Sequence, residues 1–279
     1  MTQRRQRYIA PKFAAGVPSD HRLYTRYGAL ATETLPAADV DRMLKDIVVG
    51  AGGSPDQYGA PIPDPSLSEA GVTLSQHYLP LVAEGRITVR PWITSIAGPT
   101  VTFADDHAEN FDGIVFGTGY RLCLPFLSDD IRAILDLDAM HMDTDRYTFH
   151  PGLPGLAFMG MWDQSGGYFV PLELQARWIA YSWGGAIPAR GDNDQRSAID
   201  AYRANRGKPQ KTRMDLAALT FARAAGVEPH LDHWPQLRRE LLFGPLAPSC
   251  FRLDGPDALP DAADRFARDA ARFGAIPAT

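Results

Sequence analysis

Three groups of residues have the types and spacing for chemistry. Two apolar runs each empty into glycine: Phe111-Asp112-Gly113-Ile114-Val115-Phe116 runs into Gly117-Thr118-Gly119-Tyr120, and Leu156-Ala157-Phe158-Met159 runs into Gly160, followed by Met161-Trp162-Asp163-Gln164. Where a strand ends on glycine, the backbone can approach a planar or phosphorylated ligand closely, because glycine has no Cβ and accepts positive φ. Either junction alone is an ordinary tight turn; the pair marks two candidate ligand edges. The third group is basic. Arg4, Arg5, Arg7 and Lys12 cluster around Tyr8, Ile9 and Pro11, a string that reads as the exit of a strand. Guanidinium groups suit phosphate, and a solvated basic arm is the alternative.

Other constellations are weaker. The sequence has no HExxH and no GxSxG, and His230 and His233 flank Asp232 with no third metal ligand in sequence reach. The string Gly50-Ala51-Gly52-Gly53-Ser54 after Ile47-Val48-Val49 resembles a dinucleotide-binding loop. Such a loop needs a strand before it, a third glycine and a helix after it. Here Val40, Met43, Leu44, Ile47 and Val48 recur at helical spacing, so a helix is expected over 39–49, with Asp39 as N-cap and Gly50 as terminator. Pro55 and a turn-rich run to Pro65 come next, which makes the glycine string a decoy.

The elements that must position the candidate edges can be read from periodicity. A helix is expected over 75–84, closed by Gly85, and short β segments over 87–89 and 100–103 within a meander. Residues 111–116 and 156–159 are the two matched strands. The segment 171–183 should be a helix with proline in its first turn and Gly184-Gly185 beyond its end. From Asp192 the pattern is helical, clearest over 215–225, 234–243 and 262–273.

Taken together, Asp112 to Tyr120 with Leu124-Pro125-Phe126-Leu127 resembles the "D-x-hydrophobic-x-A-T-G-Y … P-F-L" segment of flavin-containing monooxygenases, with Gly117 replacing the usual alanine. His150-Pro151-Gly152-Leu153-Pro154-Gly155-Leu156-Ala157-Phe158-Met159-Gly160 and Glu173-Leu174-Gln175-Ala176-Arg177-Trp178 continue the pattern in order and spacing. The likeness is clearest over 1–20 and 110–185. Near the start, Gln3-Arg4-Arg5 and Gly16-Val17-Pro18 resemble the segment after the second strand of the family's NADPH-binding domain.

That resemblance implies an α/β fold, part of a two-dinucleotide-binding-domain (FAD/NAD(P)) flavoprotein with a helical C-terminal tail. Residues 1–117 would be the C-terminal part of the NADPH-binding domain and 118–279 that of the FAD-binding domain. FAD and NADPH are the implied cofactors, and a small organic molecule and O2 the implied substrates. In the family, hydride passes from NADPH to FAD, and a flavin C4a-hydroperoxide transfers one oxygen atom to nitrogen, sulfur or a carbonyl carbon. Arg4 or Arg5 would recognise the 2′-phosphate of NADPH. Thr118 and Gly119 would lie beside the cofactors where the chain passes between domains. Gly160, Asp163 and Gln164 would line the flavin edge near the N-terminus of the helix carrying Gln175, with Gln164 and Asp163 the catalytic pair that hydrogen-bonds the ring or its ribityl chain. For Glu173, Gln175 and Arg177 the alternative is an exposed polar helix face.

The family's two GxGxxG loops are not in this sequence, so the isolated chain is expected to bind FAD poorly. A complementing N-terminal polypeptide or a homodimer is the partner this implies. A non-catalytic remnant or another FAD/NAD(P)H oxidoreductase of the same architecture are the alternative functions. The absence of CxxC argues against disulfide reductases.

Composition narrows the field further. The 279 residues are 45% hydrophobic, enough for a substantial core. The net charge of -5 offers no general attraction to nucleic acid or an anionic membrane. Two cysteines, Cys123 and Cys250, form neither a disulfide framework nor a zinc site. Apolar runs are too short to span a bilayer and no apolar leader follows the basic start, so a cytoplasmic location is expected.

Overall fold

The computed structural model describes residues 1–206, 212–272 and 276. It is mixed α/β, with short strands gathered in small sheets. In chain order the strands are β1 (Tyr8–Ala10), β2 (Phe13–Ala14), β3 (Val17–Pro18), β4 (Val72–Leu74), β5 (Ile93–Ala97), β6 (Thr100–Phe103), β7 (Ala108–Asn110), β8 (Gln164–Ser165) and β9 (Thr212–Arg213). The helices are α1 (Asp20–Leu23), α2 (Arg26–Thr34), α3 (Ala37–Gly52), α4 (Leu67–Ala70), α5 (Tyr78–Ala83), α6 (Asp129–Ile134), α7 (Phe169–Gly184), α8 (Asp192–Arg203), α9 (Met214–Ala224), α10 (Arg238–Phe243) and α11 (Ala262–Ala271). The chain divides into two compact units: Met1–Ser19 with Ala31–Gly119, and Asp20–Leu30 with Tyr120–Thr279.

In the first unit, β1 pairs in parallel with β4, Tyr8 opposite Val72. All three β1 residues are buried, and α3 packs over the strand with Val40 and Val48 inward. The helix runs beyond Gly50 to Gly52, and Gly53 at φ 78° ends it by donating its amide to Val49 O. Its N-cap is Pro36, with no side-chain cap, so Asp39 sits in the first turn, paired with Arg42, and does not cap. The glycine string therefore terminates a helix. A Cβ on Gly52 would stand 2.8 Å from Pro11 Cδ, which gives that glycine a packing role against the exit of β1. Strands β5, β6 and β7 form the antiparallel meander.

Several expected elements differ. Residues 87–89 form no strand; Arg90 alone bridges to Thr2. The helix expected over 75–84 is confined to α5, because Val72–Leu74 is recruited as a strand beside β1 and its exit consumes the turn up to His77. Residues 111–116 are not a strand. An extended run needs a neighbour for its amides and carbonyls; Phe111 N donates to Pro99 O at 2.9 Å, but among the described residues the segment joins no ladder, leaving Val115 98% exposed. Residues 156–159 are likewise reduced to one antiparallel bridge, Phe149 to Ala157.

The second unit is mainly helical. Its largest helix, α7, spans the expected segment, with Pro171 in the first turn and Gly185 in the left-handed region at its end. It packs on α9 through Trp178 and Phe221. A second apolar cluster, Leu124, Leu135, Met142 and Phe158, lies under the segment leading to Gly160. In the helical tail, Pro235–Leu237 is a 3-10 turn, because Pro235 cannot donate within a helix, and α10 starts only at Arg238. Helix α11 ends at Ala271, and Phe273 lies outside the described residues. No helix among the described residues is long and apolar enough to cross a membrane.

Candidate functional site

The second unit brings Gly160, Asp163, Gln164 and Gln175 together. Gly160 has φ +72°, a conformation that side chains rarely adopt, and an added Cβ would meet Leu172 Cδ2 of α7 at 3.3 Å. Its amide donates to Gln175 Oε1 at 3.0 Å. Gln175 is fully buried. Its Nε2 donates to Thr148 Oγ1 at 2.7 Å, to Phe158 O at 3.1 Å and to Tyr147 O at 3.3 Å. One carboxamide thus ties α7 to the two segments on either side of the Phe149 to Ala157 bridge. The exposed polar face is overturned for this residue: a buried amide must be satisfied, and Gln175 is satisfied by the glycine turn and the segments beside it.

Gln164 performs the same work for the next turn. Trp162 Nε1 donates to its Oε1 at 2.7 Å, its Nε2 donates to Gly167 O at 2.7 Å, and its backbone amide donates to Tyr168 Oη at 3.0 Å. Both ends of the carboxamide are engaged inside the chain. The side chain of Asp163 is exposed, while its carbonyl accepts from Thr212 N as β8 and β9 pair.

Gly166 of this turn, and Tyr24 that packs on it from far away in sequence, carry no mark in the sequence. At φ +90°, a Cβ on Gly166 would stand 2.6 Å from Tyr24 Cε2 and 2.9 Å from Met214 Cβ. The second contact is to an atom fixed on its own backbone, so the loop closes only with glycine there. Burial pushes the Tyr24 phenol up to about 12 despite a hydrogen bond from Ser165, so it stays a neutral wall residue. No local signal separates Gly166 from any turn glycine.

Helix α7 is held from its other side. Arg177, only 7% exposed, donates through Nη2 to Phe251 O at 2.8 Å and to Asp257 at 2.5 Å. Arg252 pairs with Asp257 and with Glu173. Arg177 is thus a clamp between α7 and the segment 248–257, which again departs from a solvated face. Glu173 is only partly exposed.

The remaining candidates lie in the first unit. Arg4 and Arg5 are exposed on the approach to β1, and the Arg4 guanidinium sits 5.0 Å from the Trp92 ring centre. Thr118 and Gly119 are exposed in the irregular segment, with Gly119 at φ +97°. No group of three or more metal-ligating side chains occurs among the described residues, and the rings of His230 and His233 lie tilted with centres 4.9 Å apart beside Asp254.

The residues present fit one edge of a flavin site. The Gly160 turn is hydrogen-bonded to Gln175, presents exposed Met159 and Asp163, and lies against the first turn of α7. The glycine string 50–53 closes α3, as Gly53 N donates to Val49 O.

The mixed α/β architecture is consistent with the comparison to known proteins. The sequence model of the FMO-like family, described as flavin-binding monooxygenase-like, matches residues 2–271, and the chain belongs to that family. It is 26% identical over 254 residues to dimethylaniline monooxygenase (N-oxide-forming) 2 of Rattus norvegicus, covering 86% of this chain and 47% of the relative. It is 26% identical over 261 residues to flavin-containing monooxygenase 3 of Homo sapiens, covering 88% and 48%. It is 30% identical over 216 residues to 4-hydroxybenzoate brominase (decarboxylating) of Marinomonas mediterranea, covering 72% and 40%. The chain spans about half the length of the curated relatives it matches.

Proposed function

We propose that the chain works in an FAD- and NADPH-dependent monooxygenase that places one oxygen atom from O2 into a small organic substrate. The observation that carries this is the family match over 2–271 together with the stapled Gly160 turn, which falls within the segment sharing the family's pattern. In this reading residues 118–279 are the C-terminal part of the FAD-binding domain and 1–117 that of the NADPH-binding domain, in a two-dinucleotide-binding fold. FAD, when bound, supplies the redox chemistry with O2, and NADPH supplies the hydride.

The chain's own residues bind, orient and exclude water. Gly160 lets the backbone come against the flavin edge, and Gln175 holds that backbone from beneath. Gln164 fixes the following turn so that Asp163 faces outward at the same edge. Both glutamines are positioning residues, since their polar atoms are taken up within the chain. The buried Trp162 and Tyr24, with half-buried Tyr168, wall the back of the turn against water, which favours oxygen transfer over peroxide release. Arg4 or Arg5 pairs with the 2′-phosphate of NADPH, and Thr118 and Gly119 lie at the passage between the two domains.

The test is product analysis with an amine, a thioether and a ketone, using protein tagged and isolated from its source cells with FAD and NADPH supplied. NADPH oxidation with an oxygenated product is expected. Absence of both, in a folded preparation that takes up no flavin, would favour a non-catalytic remnant.

A further inference from the structure

Asp163 and Gln164, the polar residues of the Gly160 turn, are joined to α9 through a ladder of two residue pairs. In it Gln164 lies opposite Thr212 and Ser165 opposite Arg213, and the Thr212 amide donates to Asp163 O at 3.0 Å. So short a ladder fixes no register by itself, because strands this brief are marginal and a slip of one residue turns every side chain to the other face. What holds it lies just beyond β9. Arg213 donates through Nε to Asp215 Oδ1 at 3.0 Å and through Nη2 to Asp215 Oδ2 at 2.5 Å, a two-pronged contact that fixes the direction of the guanidinium.

The pair is shielded from water. Asp215 is fully buried in the first turn of α9, and the Arg213 side chain is 16% exposed. The start of α2 lies over both, near enough that a Cβ on Gly28 would touch Asp215 Oδ2 at 3.4 Å and Arg213 Nη2 at 3.5 Å. On the other strand of the ladder, Ser165 is hydrogen-bonded to the buried Tyr24 phenol, on which Asp215 and Arg213 act in opposite senses. Tyr24, Ser165, Arg213 and Asp215 thus form one polar cluster behind the turn. A buried ion pair adds little net stability, since taking both charges out of water offsets most of their attraction. What the fork supplies is direction. It holds Arg213 opposite Ser165 and Thr212 beside Asp163, while the Gln164 side chain is held by Trp162 and Gly167.

We infer that Arg213 and Asp215 are positioning residues of the flavin edge: their buried fork sets the register of β9 on β8, and through it the places of Asp163 and Gln164. What the edge does rests on the oxygenase reading, whereas the hold of the fork on the ladder does not. Losing the fork loosens the turn and lets water in behind Gln164, the condition under which reducing equivalents go to peroxide in place of product.

Two variants of the whole chain test this. Asp215→Asn keeps the shape but offers one acceptor where the fork needs two, and Arg213→Met combined with Asp215→Leu removes both charges. The readouts are hydrogen exchange at the Thr212 amide and the NMR signal of the Trp162 indole N–H, which donates to Gln164 Oε1 and is assigned among the five tryptophans by Trp162→Phe. Both variants should show exchange at least about tenfold faster at Thr212 and a displaced Trp162 signal, with the double variant melting near the unsubstituted chain. Unchanged exchange and an unmoved Trp162 signal in either folded variant would overturn the inference and leave the pair a stabilising contact only. So would unsubstituted values of both readouts in Arg213→Lys, which keeps the charge and loses the fork. With FAD bound, Asp215→Asn should also raise the peroxide released per NADPH, and an unchanged ratio beside a displaced Trp162 signal would overturn the role at the edge. Since the exchange and indole readouts need neither FAD nor turnover, their failure is distinct from failure of the oxygenase reading.

Discussion

Replacing Gln175 by leucine removes every polar contact of the central staple while keeping nearly the same volume, so its effect isolates the hydrogen bonds. The amide of Gly160 and the carbonyl of Phe158 lose their partners at 3.0 and 3.1 Å. Thr148 keeps a second bond, from its hydroxyl to Arg146 O at 2.9 Å, and Tyr147 O loses only the longest contact, at 3.3 Å, so both are discounted. Two orphaned groups at about 1–3 kcal/mol each give a loss of about 2–6 kcal/mol, a large share of the roughly 5–15 kcal/mol that holds a typical domain. The assay is urea unfolding followed by tryptophan fluorescence, paired with native-state hydrogen exchange at the Gly160 amide. Exchange there should accelerate by about thirtyfold or more, since each 1.4 kcal/mol is a factor of ten. A loss below about 1 kcal/mol with unchanged exchange at Gly160 would show that water satisfies these groups and that the turn is not held from α7.

Gly166→Ala should destabilise the second unit by about 1–3 kcal/mol or more, because its Cβ meets Met214 Cβ at 2.9 Å in a positive-φ backbone; an unaltered melting temperature would refute the packing argument. Gly160→Val should weaken FAD retention sharply while the soft contact with Leu172 limits the steric part of the stability loss; full FAD occupancy would remove Gly160 from the flavin edge. Arg4 and Arg5 both replaced by alanine should raise KM for NADPH and leave that for NADH nearly unchanged, whereas parallel changes would return them to a solvated arm. Arg190→Met strands a buried carboxylate at Asp145 and should cost about 3–5 kcal/mol at neutral pH. Burial already raises the Asp145 pKa against the pull of Arg190, so the folded state binds this proton more readily than the unfolded state. Stability of the variant should therefore rise as pH falls through that raised folded pKa toward the ordinary carboxylate range, and a flat pH profile would contradict the pairing.

Helix α7 was legible because its signals are local: an apolar period, proline in the first turn and paired glycines past the end. The decoy glycine string was legible for the same reason, although Gly53, and not Gly50, closes α3. The strands over 111–116 and 156–159 were not. Apolar residues in a row state that a segment can pair, and the partner and register come from elsewhere in the fold. Burial of Gln175 was also hidden, since a glutamine among polar helix residues looks solvated until Thr148, Phe158 and Gly160 converge on it. Gly166 shows its necessity only when Tyr24, distant in sequence, arrives beside it.

We propose that this chain works in a flavin enzyme. The visible absorption spectrum of the protein isolated from its source cells, with released flavin quantified after heat denaturation, tests it most directly. A yellow preparation is predicted, with FAD stoichiometric to the chain and bleached by NADPH in the absence of oxygen. A colourless, folded preparation that stays colourless when FAD is added would contradict it.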